Sequence, residues 1–211
     1  MRLRKVQGAS EAIEKSKYVV LKPEENKGNW KKVFNNDNKE LHIEIGMGKG
    51  DFIKGHAVRD THINFIGIEK FDSVIVRAIE KLEEEKLDNL KLIRMDALDI
   101  ENVFDKEVDV LYLNFSDPWP KNRHEDRRLS SKKFLDRYEG IFKNTKTIVM
   151  KTDNRKLFEF SLISFVNQGY KLEEISLDLY DDDYKDNIPT EYETKFKNRG
   201  QNIYMVKAVK L

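Results

Sequence analysis

The chain has 211 residues and no cysteine, so disulfides and thiolate chemistry are excluded, and one domain of this length buries about 70% of its unfolded surface without covalent staples. Charged residues make up 36% of the chain, yet the formal net charge is only +1, so partners must be sought in local charge rather than in the total. Met1-Arg2-Leu3-Arg4-Lys5 leads into polar residues, which predicts no signal peptide, and no window approaches the roughly 20 apolar residues of a membrane span.

Short apolar runs alternate with helix-periodic segments, the pattern of a parallel sheet covered by helices. Strands are expected at 41–45, 64–68, 91–95, 108–115 and 146–151, with helices at 51–58, 73–85 and 130–142. Within 73–86, Val74, Ile75, Ala78, Ile79 and Leu82 share one face, and Glu83 to Glu85 end the helix in solvent. A further helix at 156–165, closed by Gly169, precedes strands at 172–179 and 203–209. The segment between those strands, 180–201, is polar and shows no helical period, so the two should pair antiparallel as a long-looped hairpin and bring the sheet to seven strands.

Gly46, Gly48 and Gly50 stand at alternate positions between the first strand and the first helix, where glycine lets backbone amides approach a ligand. The turn is neither a dinucleotide fingerprint nor a P-loop, because no Ser or Thr follows a Gly-Lys pair. Glu44, Glu69 and Asp96 lie at the carboxyl ends of three neighbouring strands. An acid after the second strand suits a ribose diol, and one after the third suits an exocyclic amine. Acids rather than arginines argue against phosphate, which leaves a sulfonium amino acid carrying adenosine as a fitting ligand. Glu44 is placed either to hold its amino group or to set the field near the sulfonium.

After the fourth strand comes Asn114-Phe115-Ser116-Asp117-Pro118-Trp119-Pro120-Lys121, an acid beside an aromatic plate. The prolines should stiffen the loop and push Asp117 and Trp119 toward extended backbone. Trp119 suits either stacking on a base or packing under its own loop. From Lys121 to Arg137 there is an excess of four positive charges, the footprint of a phosphate-binding stretch or of a solvated helix face. The histidines His42, His56, His62 and His124 show no metal-ligand spacing, and Asp181 to Asp183 read as solvated loop, so no metal is expected.

The glycine turn, the strand-end acids, the Asp-Pro-Trp-Pro-Lys loop, Lys151-Thr152-Asp153-Asn154 and Thr190-Glu191-Tyr192-Glu193 together resemble the bacterial tRNA (guanine-N7)-methyltransferases over nearly the whole chain. The resemblance implies an α/β, Rossmann-like seven-stranded methyltransferase sheet with helices on both faces and a C-terminal antiparallel hairpin. It implies an S-adenosylmethionine-dependent domain over 39–211 and an N-terminal extension over 1–38, where Arg2, Arg4 and Lys5 offer RNA contacts. It implies that Glu44, Gly46, Gly48, Glu69, Asp96 and Asp117 line the cofactor site, with Asp117 also catalytic. Lys121, Asp153, Thr190, Glu191, Tyr192 and Glu193 match the substrate-binding positions, and Arg123, His124, Arg127 and Arg128 match the RNA-contacting stretch. The implied partner is tRNA in the cytoplasm, without membrane, for a monomer or homodimer. Met47 departs from the family pattern, since a smaller residue is expected between the glycines.

Guanine N7 has a free lone pair at neutral pH, so its methylation needs no general base, and catalysis should rest on alignment, worth about 7 to 11 kcal/mol. Asp117 or Asp153, with Glu193, is expected to grip the N1–H and N2–H edge while Lys121 contacts O6 or a phosphate. For Asp153 the competing role is a helix N-cap. Two other readings stand beside this one: a same-fold methyltransferase acting on a small molecule or protein, and a non-catalytic RNA-binding module.

Overall fold

Strands rich in Ile, Val, Leu and Phe on both sides of the pleat can be stable only when covered on both faces. In the computed structural model, which describes residues 6–182, 184 and 186–211, α1 (Ala9–Lys15), β1 (Glu40–Ile45), α2 (Asp51–Arg59), β2 (Ile63–Glu69), α3 (Asp72–Leu82) and β3 (Leu90–Arg94) form the first half. The second half comprises α4 (Ile100–Val103), β4 (Val108–Asn114), α5 (Lys132–Tyr138), β5 (Phe142–Thr152), α6 (Arg155–Asn167), β6 (Lys171–Ser176), α7 (Glu191–Lys197) and β7 (Tyr204–Lys210). The strands make one sheet in the order β3-β2-β1-β4-β5-β7-β6. Neighbours among β1 to β5 are parallel, whereas β7 runs antiparallel to both β5 and β6.

β2 shows how one strand serves two cores. Ile66 and Ile68 join the layer of Ile43, Leu111, Phe134 and Phe158. On the opposite face Phe65 packs with Ile53, Ala57, Ile75 and Ile79. The reversal of strand order between β1 and β4 opens a crevice at their carboxyl ends, the usual ligand site of such sheets.

The structure departs from the sequence expectation in three places. Segment 180–201 contains α7, because Thr190 accepts from the Glu193 amide and Glu193 reaches back to the Thr190 amide, a capping box that stabilises a one-to-two-turn helix. The helix expected over 130–142 is only α5, since Ile141 and Phe142 are drawn into the core and Phe142 pairs with Val108 on β4. Trp119 has φ +41 rather than extended backbone. Ahead of β1, Trp30 is fully buried, donates from Nε1 to the Val103 carbonyl at 2.8 Å, and stacks on Phe104. Arg2, Arg4 and Lys5 lie outside the described residues, as does Asp183.

Candidate active site

The glycine turn leaves β1 through Gly46 and enters α2 through Gly50. The Gly46 and Met47 amides both donate to the Ile68 carbonyl on β2, at 2.8 and 3.0 Å. Gly46 and Gly48 have φ +76 and +59, and nothing stands where their Cβ atoms would be, so backbone conformation alone requires glycine there. Met47 is accommodated by a different glycine. Its side chain is buried over β2, where a Cβ on Gly67 would come within 2.3 Å of the Met47 sulfur. The bulk between the glycines therefore points into the sheet.

Beside the turn, Glu44 is 1% exposed on β1. Its Oε1 accepts from Asn114 Nδ2 at 2.9 Å, while its Oε2 and the Asn114 Oδ1, both buried, find no partner among the described residues. Burial pushes the Glu44 carboxyl up to about 7, against the opposing pull of the Asn114 hydrogen bond and the Lys151 charge. Two adjacent buried acceptors without donors make a seat for a cationic donor. Glu44, Gly46, Gly48, Phe115, Thr190 and Tyr192 line one cleft of about 360 Å³.

The next two strand-end acids are already engaged by the protein. Glu69 takes the amides of Gly48 at 3.2 Å, Lys70 at 2.9 Å and Phe71 at 3.0 Å, and so ties the glycine turn to the start of α3. Burial nonetheless raises its carboxyl above the ordinary range, helped by the nearby charge of Asp117. Asp96 accepts from the Leu98 amide at 3.0 Å and pairs with Lys70. Burial opposes its ionisation, but these partners outweigh it and its carboxyl lies below the usual value.

Asp117 is exposed on the loop after β4. Within that loop Phe115 and Trp119 both have left-handed backbone, at φ +49 and +41. The Trp119 ring meets the His124 ring edge-on and lies 4.9 Å under the Arg127 guanidinium, so it packs within its own segment. Lys121, Arg123 and Arg127 are exposed and His124 is half-buried. Arg128, by contrast, is only 9% exposed and donates to the Pro118 and Trp119 carbonyls, each at 3.1 Å.

Glu193 is likewise held within the protein. It is fully buried, with Oε2 at 2.6 Å from Lys151 Nζ and Oε1 accepting from the Tyr180 hydroxyl and the Asn187 amide. With the Thr190 amide, its two oxygens take four donors from the protein. Lys151 also donates to Asn187 Oδ1 and the Ile188 carbonyl, both at 3.0 Å, and lies over the Phe52 ring. Burial pulls the Lys151 ammonium below its usual value, against the attraction of Glu193. The pair locks α7 onto β5 at the mouth of the cleft. Glu191 meets Lys49 of the glycine turn at 2.7 Å, and Tyr192 stays 58% exposed.

Asp153 is half-buried and leaves capping to its neighbour: Asn154 Oδ1 accepts from the Leu157 amide at 2.9 Å and starts α6. Among the described residues no cluster of His, Asp or Glu could hold a metal ion, and no helix is long and apolar enough to cross a membrane. Sequence reasoning missed Asn114 and Lys151. Lys151 had a readable signal, a lysine closing an apolar central strand, whereas the orphaned oxygen of Asn114 had none.

A family model described as "Putative methyltransferase" matches residues 38–206. The chain is 51% identical over 210 residues to the tRNA (guanine-N(7)-)-methyltransferase of Streptococcus mutans, covering 99% of each chain. It is 47% identical over 210 residues to the protein of the same name from Oceanobacillus iheyensis, covering 99% of this chain and 98% of that one. Two solved structures share the fold. An antibiotic-related methyltransferase gives a TM-score of 0.63 at 16% identity, over 82% of this chain and 88% of the other. A SAM-dependent methyltransferase from Aquifex aeolicus gives 0.57 at 14% identity, over 98% and 100%.

Proposed function

Because the chain belongs to the bacterial tRNA (guanine-N7)-methyltransferase family, we propose that it transfers a methyl group from S-adenosylmethionine to N7 of a guanine in the tRNA variable loop. The observation that carries this reading is the crevice at the β1 and β4 ends, where Glu44 Oε2 and Asn114 Oδ1 are buried beside the glycine turn without donors among the described residues. Those acceptors fit a ligand that bears an ammonium and a sulfonium and no phosphate. Glu44 and the backbone of Gly46 and Gly48 would hold its amino-acid end, and Glu69, Asp96 and Asp117 would face its nucleoside. When bound, it supplies an electrophilic methyl group on a positively charged sulfur.

The protein's part is alignment and exclusion of water. Guanine N7 is already a nucleophile, so no residue has to remove a proton before attack, and none of the four histidines is required. Asp117 is exposed on a loop anchored by the Phe115 amide, which donates to the Lys151 carbonyl at 2.8 Å. There its carboxylate accepts the N1–H and N2–H donors of guanine, an edge that adenine lacks. Asp153 assists from the end of β5, Lys121 meets O6 or a phosphate, and Thr190, Glu191 and Tyr192 wall the opposite side. Arg123, His124 and Arg127 face the RNA backbone and bind it without reading sequence. The enzyme acts on tRNA in the cytoplasm, as a monomer or homodimer.

The test is transfer of labelled methyl groups to unmodified bulk tRNA followed by nucleoside analysis. Label is expected in 7-methylguanosine, and Asp117→Ala should abolish it while the protein stays folded. Label in another nucleoside, or near-normal turnover of Asp117→Ala, would overturn the reading.

A further inference from the structure

Asp117-Pro118-Trp119-Pro120 is a segment that cannot hold itself. Two of its four residues have no N–H, so it cannot form a backbone ladder, and its carbonyls must find donors elsewhere. The left-handed backbone of Trp119, a bulky residue, adds strain that survives only where the surroundings enforce it. The two carbonyls that flank this strained residue's peptide units, those of Pro118 and Trp119, are bridged by one side chain: Arg128 donates from Nε to the first and from Nη2 to the second, both at 3.1 Å.

Arg128 is itself held. Its guanidinium carbon lies 4.3 Å from the centroid of the Phe160 ring on α6, and its backbone is fixed on both sides, by its amide donating to the Glu125 carbonyl and its carbonyl accepting from the Ser131 amide, each at 2.9 Å. A planar fork stacked on an aromatic face delivers two parallel donors in a fixed geometry, which a lysine cannot reproduce. Its neighbour Arg127 has the opposite placement, exposed above the Trp119 ring with its donors toward solvent. Adjacent arginines thus divide the work.

We infer that Arg128 is a positioning residue that clamps the Asp117 loop in its productive conformation, and that it makes no phosphate contact with RNA. Its effect on turnover rests on the methyl-transfer reading given above; its effect on loop order does not.

The experiment compares Arg128→Ala, Arg128→Lys and Arg127→Ala by three measurements. The first is kcat and KM for tRNA over a range of salt. Arg128→Ala should lose about 100-fold in kcat, the scale of a loop displaced by about 1 Å, with KM for tRNA and its salt slope unchanged, and Arg128→Lys should fail to rescue. Arg127→Ala should instead raise KM and reduce the salt slope by about 1. The second is calorimetric titration with S-adenosylhomocysteine, whose retained binding reports a folded cleft. The third is acrylamide quenching of tryptophan fluorescence: Trp30 is fully buried, so the accessible signal is Trp119, and its quenching should increase in both Arg128 variants. Should Arg128→Ala not fold, Phe160→Leu, which removes the ring beneath the guanidinium, is expected to lower kcat and raise Trp119 quenching in the same sense. A raised KM and a shallower salt slope in Arg128→Ala, rescued by lysine and with Trp119 quenching unchanged, would overturn the inference. Failure of the wild type to methylate tRNA would instead sink the functional reading, and the quenching result would still decide the role of Arg128.

Discussion

Glu193→Gln separates a buried structural ion pair from a base-binding carboxylate. Glu193 and Lys151 are 0% and 4% exposed and 2.6 Å apart, and Glu193 is also the acceptor for Tyr180 and Asn187. Glutamine retains the shape and the ability to close the capping box on Thr190. It cannot neutralise Lys151, and its NH2 group turns one acceptor into a donor amid donors. Breaking one side of a buried pair costs about 3 to 5 kcal/mol, a large part of the roughly 5 to 15 kcal/mol by which a domain is stable. The upper end is softened because burial already pulls the Lys151 ammonium down, so the lysine can shed its proton instead. In thermal unfolding the expected loss is about 6 to 20 °C. Adding Lys151→Met to Glu193→Gln should recover part of it, since the buried charge is then gone. If Glu193→Gln unfolds like the wild type and loses only kcat/KM for tRNA, the carboxylate contacts substrate and the reasoning is refuted.

Two further outcomes follow from the same site. The Glu44 carboxyl is raised from its ordinary 4.5 to about 7 by burial, so between those values the native state holds a proton that the unfolded chain has released. The stability this contributes is full below about pH 4.5 and is lost as pH rises through 7, by about 3 kcal/mol. Glu44→Gln should flatten that slope in unfolding measurements from pH 4.5 to 8, and parallel curves for variant and wild type would contradict it; wild-type affinity for a cationic cofactor should rise over the same interval. Gly67→Ala places a Cβ at 2.3 Å from the Met47 sulfur and 3.3 Å from Ile53 and Leu92, so it should cost about 1 to 3 kcal/mol of overpacking. Denaturant titration should show the loss and its partial recovery on adding Met47→Ala; a neutral Gly67→Ala would disprove the packing role of Met47.

The parallel half of the sheet was legible because its strands carry short apolar runs between helix-periodic segments; the expected bounds of β1 to β4 lie within a residue of the observed ones, whereas β5 begins earlier, at Phe142. The antiparallel pairing of β6 with β7 was also legible, from their alternation, but the insertion of β7 between β5 and β6 was not, since pairing between distant strands leaves no local trace. α7 was missed for a different reason. Its period is too short to register, and its signal, Thr190 three residues before Glu193, is a capping box that was read as part of a ligand-binding motif.

Hydrogen-bond demand decides which acids of the motif are free to serve a ligand. A carboxylate has about four acceptor sites. Glu69 gives three to backbone amides, which shape the glycine turn, and keeps one, whereas Glu193 gives its own to Lys151, Tyr180, Asn187 and the cap of α7 and so holds the cleft wall. Glu44 retains a buried oxygen with no donor among the described residues. Sequence spacing gives all of these the same appearance, because an acid at a strand end or helix start is drawn there by amides whether or not a ligand follows. The same test splits the basic stretch: Arg128, whose donors already meet the carbonyls of Pro118 and Trp119, belongs with Glu193, whereas Arg127 is exposed. The chemistry of the site therefore depends on the acceptors and donors that the fold leaves over, and those are fewer than its motifs contain.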